Sequence, residues 1–541
     1  MNMERNYYIE DYRELSDYID GSRGRFLHET NENKTIRRNH HLYNEVAKQS
    51  LSVMSAGMMA GITSPARPWF KLAPPDPDMA DYEPVKIWLD DVQRTLLAIY
   101  QRSNFYNSMQ NVYTELGAFG VAPMGAYENY DNVMRFEPYT VGSYSLASNG
   151  ERQVDTLSRE YRLSVGQIVK QFGYKSASRA IRNMYDKGDY EDKVTIIHLI
   201  EPNDSRKYDS PLAKDMMYRS VYFEEQCDGD NHLKYSGFED RPFMAPRWSA
   251  IGEDTYSTSY PGIDSLNSNK SLQIEELDYA IAREKMHNPP LIGDAMLKQD
   301  GTDLIAGGIT YLPNMAQSGK PGLTPVYTVN PQVQALVESI REKENRIQRF
   351  FYADLFLMIT EMDRAQITAT EIAERKEEKM LMLGPVLERL NNELFDPLID
   401  RTFAVAQRAG ILPPPPKELV DADLKVEYIS VLAQAQRAVS TAGIESTVGF
   451  AANLANVWPE ARHKVDPLQA IDEYAKAKGA SPKIIKSDKD AMASDEAEKQ
   501  QAAQLQSMEA ASQMANDAKT LSETDASNQD SALAAIAGGL Q

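Results

Sequence analysis

The sequence contains little of what secreted, membrane or cysteine-dependent proteins use. It has one cysteine, Cys227, in 541 residues, which excludes an internal disulfide and a cysteine-rich metal site. The N-terminal stretch is polar and acidic, unlike a signal peptide. The longest nearly apolar run, residues 51–62, is too short to span a bilayer. We therefore expect a protein of a reducing cytoplasm with no membrane segment.

Catalytic motifs are also missing. Gly319 and Lys320 match a phosphate-binding loop only in part, because Asn314 stands where its first glycine is required and Pro321 replaces the serine or threonine. Gly142–Tyr144 places a tyrosine where a nucleophile elbow needs serine. The seven histidines show no metalloprotease spacing. We expect no catalytic residue, no cofactor and no metal, and hence no enzyme.

The chain is strongly acidic, with a net charge of −21 at pH 7. Tight binding to nucleic acid requires basic surface that displaces counterions, so the charge argues against adhesive DNA binding. It is compatible with a channel through which DNA slides, and it would keep a large assembly soluble. An ordinary solvated surface is the more common cause of such a charge. The hydrophobic fraction of 42% and the length allow several domains with a large core.

One long helix is predicted near the end of the third quarter of the chain. Thr368 has a glutamate three positions later, which is the spacing of a capping box. Gly410 is placed to end the helix. Pro385 and Pro397 each remove a backbone donor, so we expect a kinked helix over 368–411. The apolar residues at helical spacing are Ile372, Met380, Leu383, Val386, Leu387, Leu390 and Leu394.

The amino-acid sequence of this helix, and that of one earlier segment, resembles a known protein family. The matching residues are Thr368–Glu371, Leu383–Val386, Arg389, Leu390, Glu393, Asp396–Leu398 and, earlier, Gly61–Phe70. They are similar to the portal proteins, the head-to-tail connectors of short-tailed bacteriophages. The resemblance extends more loosely from about Tyr12 to about Lys486 and does not cover the C-terminal tail.

The resemblance implies a helix-rich α+β protomer built from named parts. The expected parts are a mixed α/β wing at 1–265, a first stem helix at 266–288, a small α/β clip at 289–329, a second stem helix at 330–350, a tunnel-loop region at 351–367, the long kinked helix at 368–411, a helical crown at 412–486 and an acidic tail at 487–541.

Local patterns in the first half support a mixed α/β region and not a parallel βαβ array. Asn149-Gly150 is a good hairpin turn between two strand-like runs. The other predicted elements are helices at Tyr7–Met59, stopped by Gly57 and Gly61, and at Val85–Tyr100, Phe105–Leu116 and Ser164–Phe172, with strands at Thr195–Ile200 and Tyr218–Phe223. Within the loop at 63–70, Trp69 and Phe70 are expected to fill a hydrophobic gap.

Two further helices are expected to form a hairpin around the clip. The first, Ser271–His287, carries Ile274, Leu277 and Ile281 on one side. The second begins near Asn330 and has a narrow apolar stripe between charged faces. Its members are Val333, Leu336, Val337, Ile340 and Ile347. Such a stripe needs partners, which an antiparallel helix and neighbouring copies in a ring would supply. An ordinary helical hairpin remains the alternative.

The resemblance also implies which residues face the DNA channel. The tunnel loop is assigned to Thr360, Glu361, Met362, Asp363, Arg364, Ala365 and Gln366, with a core helix over Phe350–Ile359 as the alternative for the preceding residues. Basic residues that could touch phosphates are Arg346, Arg349 and Arg364, and then Lys285. Pairing with acids of neighbouring subunits is the alternative for each of them.

After Pro416 we expect helices, including Gln434–Val457 and Pro467–Ala477. The composition of the tail is typical of disorder, yet 494–519 is rich in helix formers. Its weak stripe, Leu505, Met508, Ala511 and Ala515, would suit a helical barrel.

The function implied is that of a portal. The expected assembly is a dodecameric ring at one capsid vertex of the virion, formed in the host cytoplasm, through which double-stranded DNA enters and leaves. Its partners would be the terminase large subunit, the major capsid protein and scaffold, and a tail or adaptor protein. The alternatives are a structural or scaffolding capsid protein without a channel, and an enzyme of unrecognised type.

Overall fold

The computed structural model of the chain describes residues 1–23, 27, 42–74, 79, 82–208, 210, 212–225, 232–289, 291–294, 309–312, 323–325, 333–361, 383–419, 425–428, 444–454, 458, 460, 464–478 and 488–523. The chain divides into two compact units. The first consists of Met1–Leu72, Asp91–Pro414 and Val426–Arg437, and the second of Ala73–Asp90, Pro415–Lys425 and Ala438–Gln541.

The structure confirms a helix-rich α+β protein. Its α-helices are α1 (Asn2–Tyr18), α2 (Val46–Gly61), α3 (Glu83–Arg102), α4 (Phe105–Phe119), α5 (Val165–Phe172), α6 (Arg179–Lys187), α7 (Pro261–His287), α8 (Val333–Phe350), α9 (Ala353–Glu361), α10 (Gly384–Leu390), α11 (Asp396–Arg408), α12 (Pro467–Lys478) and α13 (Asp488–Glu523). Its strands are β1 (Phe70–Ala73), β2 (Met124–Asn129), β3 (Val133–Pro138), β4 (Tyr144–Ser148), β5 (Val154–Ser164), β6 (Lys193–Pro202), β7 (Tyr218–Glu224), β8 (Lys234–Phe238), β9 (Phe243–Met244), β10 (Leu291–Asp294), β11 (Ile309–Leu312), β12 (Leu323–Pro325) and β13 (Lys425–Tyr428).

The single N-terminal helix expected from Tyr7 to Met59 is wrong. The chain leaves the helix after Tyr18, just before Gly21, whose conformational freedom disfavours a helix interior. A second helix then begins at Val46. Gly57 does not stop this helix but lies in its interior, where its missing side chain makes room for Phe356: a Cβ at Gly57 would lie 2.3 Å from that ring. The helix ends at Gly61, as predicted.

Two antiparallel sheets confirm the mixed α/β character of the first half. One has the strand order β4-β5-β6-β7-β8, and the other has the order β3-β2-β9. The hairpin expected at Asn149-Gly150 joins β4 to β5, but its loop runs through Gln153. The left-handed residue is Arg152, with φ of 64°, and the Asn149 side chain accepts backbone N–H groups of Glu151 and Gln153. The hairpin is therefore confirmed with a longer turn than the dipeptide indicates.

Trp69 and Phe70, at the end of the segment that resembles the portal family, are fully buried. The Trp69 ring lies 6.0 Å from the ring of Phe105, 5.9 Å from Tyr100 and 5.3 Å from Phe395, measured between centroids. Aromatic groups at these separations attract one another in addition to the area they bury. The expectation that this loop fills a hydrophobic gap is confirmed, and Phe395 belongs to the second portal-like segment.

The described part of the long helix, 384–408, is continuous but irregular. Pro385 lies in the first turn of α10, where proline is tolerated, so it does not kink the described helix. A five-residue π-helical turn, Asn391–Phe395, separates α10 from α11 and ends two residues before Pro397. The irregularity expected at Pro397 is therefore present. The capping box predicted at Thr368 lies outside the described residues.

Gly410 ends the long helix, as the sequence predicts. Its φ is 66°, a left-handed conformation that glycine adopts without steric cost. The Gly410 N–H donates to the Gln407 carbonyl and the Ile411 N–H to the Ala406 carbonyl, at 2.9 and 3.1 Å. This is the Schellman arrangement, in which otherwise unpaired carbonyls at the helix end receive donors.

The segment after Pro416 is not wholly helical. Strand β13 pairs with β1 in a two-stranded sheet, which corrects the helical prediction there. Residues 444–454 and α12 are helical as expected. The tail is helical over Asp488–Glu523, so of the two alternatives helix is correct for these residues. Met492, Leu505, Met508 and Met514 of this helix are exposed.

Candidate channel segment and its flanking helices

Helices α7 and α8 form the antiparallel hairpin that the sequence predicts. Lys343 of α8 forms an ion pair with Glu275 of α7 and donates to Ser271, and Ser339 donates to Glu275 at 2.9 Å. The helix α7 begins earlier than expected, at Pro261, because proline suits a first helical position. Between the two helices, the described part of the predicted clip is a small sheet in which β10 pairs with β11 in parallel and with β12 antiparallel.

The hairpin is attached to the N-terminal segment through amide and carboxylate groups. The Gln273 side chain accepts the N–H groups of Tyr43 and Asn44, at 2.7 and 2.9 Å. The Asn44 side chain in turn donates to Glu276 of α7 and Glu344 of α8, both at 2.8 Å. Asn44 thus bonds both helices. No pattern in the sequence indicated this role.

The apolar stripes of the two helices have different environments. Ile340 and Ile347 of α8 are buried within the chain. On α7, Ile274 is 62% exposed and Ile281 is 39% exposed. The hairpin therefore buries two members of the α8 stripe and leaves two members of the α7 stripe exposed.

The basic residues predicted to contact DNA do not form one cluster. Arg346 and Arg349 are exposed and share a face of α8 with Glu338 and Glu342, which are also exposed. Lys285 is half-buried in the last turn of α7. Because Lys343 lies opposite Ser271 and Glu275, Lys285 is roughly 25 Å from the two arginines along the hairpin at ~1.5 Å per residue. Arg364 lies outside the described residues.

The region assigned to the tunnel loop begins with a packed helix. Phe351, Leu355 and Phe356 are buried, which favours the core-helix alternative for this part. Helix α9 continues through Thr360 and Glu361, so loop character is wrong for these two residues, whose apolar predecessors extend the helical pattern. The rest of the predicted loop, Met362, Asp363, Arg364, Ala365 and Gln366, lies outside the described residues.

A loop segment distant in sequence contacts both flanks of this region. Arg247 is buried and forms an ion pair with Glu393 of the π turn, with an Nη2–Oε1 distance of 2.6 Å. The next residue, Trp248, has its ring 6.1 Å from that of Tyr352, directly before α9. Tyr352 has a φ of 54°, an uncommon conformation for a side-chain-bearing residue. The sequence analysis did not single out Arg247. The only signal that pointed toward it was its partner, Glu393, which is one of the portal-like residues.

A cleft of about 670 Å³ lies between the two sheets, and its charged groups are mostly paired. Arg159 pairs with Glu137 at 2.6 Å, and Arg408 pairs with Glu128 at 3.0 Å. Burial, with the positive charges of Arg159 and Lys234, lowers the pKa of His198 in its wall to about 3. His198 therefore stays neutral and hydrogen-bonds Ser220 at 2.8 Å, as a structural group would.

Within the described ranges, no group of three or more histidine, cysteine, aspartate or glutamate side chains could hold a metal ion. No described helix combines the length and the apolar character needed to cross a membrane. Cys227 lies outside the described residues.

Comparison with known proteins identifies the family. The profile of the family described as bacteriophage head to tail connecting protein matches residues 1–485. The chain belongs to this family. It is 42% identical to the portal protein of Salmonella phage epsilon15 over 534 residues, covering 99% of this chain and 95% of the relative. It is 39% identical to the probable portal protein of Bordetella phage BPP-1 over 485 residues, covering 90% and 87%.

These matches confirm the resemblance and refine its extent. The family profile ends where the resemblance was expected to end, near Lys486. The tail, however, also aligns with the epsilon15 protein, so it is shared with at least one relative. Matches to portal proteins over most of the chain support a phage portal function, and they do not favour a scaffolding capsid protein without a channel.

Proposed function

We propose that copies of this chain form a closed ring, a dodecamer, at one capsid vertex, and that double-stranded DNA passes along its axis during packaging and ejection. The ring would dock the terminase large subunit first and a tail or adaptor protein later. It would contact the major capsid protein and scaffold during assembly in the host cytoplasm. Its role is mechanical and electrostatic and involves no catalysis. The observation that carries this proposal is the match to portal proteins over nearly the whole chain.

The α7–α8 hairpin has an outer face that suits packing between copies. Its own contacts bury Ile340 and Ile347 but leave Ile274 and Ile281 on the outside of α7. An exposed apolar stripe on a charged helix gains stability when a neighbouring copy covers it. We assign the hairpin to the stem, in agreement with the expected stem helices at 266–288 and 330–350.

The charge of the chain suits a channel that does not hold DNA tightly. A net charge of −21 repels phosphates, so adhesion would be weak along most of the lumen. Arg346 and Arg349 add exposed positive charge close to Glu338 and Glu342 on the same face of α8. Alternating charges of this kind would give brief phosphate contacts, or ion pairs with the adjacent subunit.

The two roles of these arginines can be separated by experiment. Heads would be assembled with the Arg346→Gln/Arg349→Gln double variant as the only portal subunit, and the fraction filled with DNA would be counted by electron microscopy. If the arginines face the channel, rings form normally while the filled fraction falls severalfold. The matched control is Arg179→Gln, because Arg179 is an exposed arginine of α6 outside the hairpin.

Loss of rings in the double variant, with Arg179→Gln unaffected, would instead assign the arginines to contacts between subunits. A normal filled fraction in both variants would remove them from the channel. Failure of the unmodified chain to form any ring would contradict the proposed function itself.

A further inference from the structure

The π turn in the long helix has a local cause. In a regular α-helix the nitrogen of Pro397 would face the carbonyl of Glu393, four residues earlier, but proline has no N–H and its ring clashes with that carbonyl. Widening the helix at Asn391–Phe395 avoids the clash, and the Asp396 N–H donates to Asn391, five residues earlier. Short π turns of this kind are often found at functional positions. The turn is therefore a built-in weak point between α10 and α11.

Arg247 binds the π turn from outside the helix. Its Nε and Nη2 atoms donate to the Glu393 carboxylate, and its backbone N–H donates to the same group at 2.9 Å. Its Nη1 atom donates to the carbonyl of Asp254 at 3.2 Å, and Nη2 also donates to the carbonyl of Arg152 at 3.0 Å. A guanidinium fixed by this many acceptors is rigid, and it is the only kind of side chain with donors in such a fork.

The two sides of the π turn are anchored very differently. On α11, Arg401 donates to the carbonyls of Ala126 and Asp240, and the Thr402 hydroxyl bonds the Tyr100 hydroxyl at 3.1 Å. On α10, by contrast, the Arg389 side chain reaches only Glu393 of the adjoining π turn, and among the described residues no hydrogen bond or ion pair joins Gly384–Leu390 to an element beyond that turn. One side is thus fixed to the sheets, while the direction of the other depends on the π turn and on apolar packing.

We propose that Arg247 and Glu393 form a latch that fixes the direction of α10 relative to α11, with the π turn as the hinge. Opening the latch lets α10 swing while α11 stays in place. Because Trp248 also contacts Tyr352, the latch segment is in contact with both ends of the stretch that contains the predicted tunnel loop. An effect of the latch on the tunnel loop and the channel rests on the proposed function, whereas the latch itself does not.

Hydrogen exchange read by mass spectrometry on the purified full-length chain tests the latch. In Glu393→Gln, which keeps the shape of the side chain but removes its charge, amides of 384–395 should exchange at least about tenfold faster, a factor equal to about 1.4 kcal/mol. Amides of 396–408 should keep their wild-type rates. Arg247→Lys keeps the charge but cannot span the same acceptors, and it should give an intermediate change.

The matched control is Arg389→Gln. Arg389 also reaches the Glu393 carboxylate, at 3.3 Å from the preceding helical turn, but a partly exposed i, i+4 pair of this kind contributes little to stability. It should leave exchange unchanged. Unchanged exchange at 384–395 in Glu393→Gln would overturn the proposal. An equal rise in the exchange rates of amides 396–408 would also overturn it. The ion pair would then stabilise α11 as much as α10 and would not act on a hinge between them. Neither result depends on whether the chain forms rings.

Discussion

Two regions of the molecule are stabilised by different kinds of contact. One is the buried aromatic core around Trp69, which we call the body, and the other is the α7–α8 hairpin. In the body, aromatic rings from three distant segments, at Trp69, Phe105 and Phe395, are buried against one another. In the hairpin, polar groups join the helices to each other and to Asn44, while Ile274 remains in solvent. The large side chains of the body are buried within one chain, whereas the outer face of the hairpin is exposed. Changes in the body should therefore alter the stability of the chain, and changes on the outer face of the hairpin should alter assembly.

The largest effect is expected from Trp69→Ala. Removing a fully buried tryptophan leaves a cavity, and such changes cost about 3–5 kcal/mol of unfolding free energy. Denaturant unfolding of the purified chain measures the loss. The matched control is Trp458→Ala, because Trp458 is 62% exposed and its removal should cost little. Equal losses in the two variants would contradict the comparison.

The next effect is a pH dependence caused by Glu115 in the body. Burial raises the pKa of this carboxyl to about 7, although the ion pair with Arg23 and the Val141 N–H oppose the shift. In the unfolded chain the group titrates near its ordinary value of 4.5. Between these values the folded chain holds more protons than the unfolded chain, so this group makes stability fall as pH rises.

Glu115→Gln removes that dependence. The stability of the variant relative to wild type should increase by roughly 2–3 kcal/mol between pH 5 and pH 8, at about 1.36 kcal/mol per pKa unit. Chemical unfolding curves of both proteins at the two pH values give the difference. A relative stability that stays constant, or that decreases toward pH 8, would show that Glu115 is ionised in the folded chain.

A smaller effect is expected where the two hairpin helices meet. Lys343→Met keeps the length of the side chain but removes its ion pair with Glu275 and its hydrogen bond to Ser271. Partly buried charged hydrogen bonds are worth about 1–2 kcal/mol, so the loss should be below that of Trp69→Ala. Thermal unfolding measures it. A loss as large as that of Trp69→Ala would show that the hairpin is part of the main core.

The smallest effect on the chain itself is expected from Ile274→Ser/Ile281→Ser. Both side chains are exposed, so the unfolding free energy should change by no more than about 0.5 kcal/mol. Ring formation, measured by light scattering, should nevertheless be lost or weakened. A variant that forms rings as readily as wild type would remove this face from the subunit interface.

Local patterns predicted the parts of the fold that depend on neighbouring residues. The end of the long helix at Gly410, the irregularity at Pro397, the short helix predicted at Ser164–Phe172 and the hairpin of α7 and α8 all follow from residue type and spacing. The burial of Trp69 was also predicted.

What the sequence could not predict depends on contacts between distant residues. Gly57 lies inside α2 and leaves room for the ring of Phe356, almost three hundred positions later. The ion pair of Arg247 with Glu393 spans 146 positions, and each residue taken alone is an ordinary charged residue of an acidic chain. The start of the predicted tunnel loop was placed too early because nothing in Thr360 or Glu361 marks the end of α9.

The most direct test of the proposed ring is imaging of the purified chain by electron microscopy together with its mass in solution. The proposal predicts closed rings with a central hole and the mass of a dodecamer of 60.8 kDa chains. A closed dimer without a hole, or a chain that stays monomeric under all conditions tested, would contradict it.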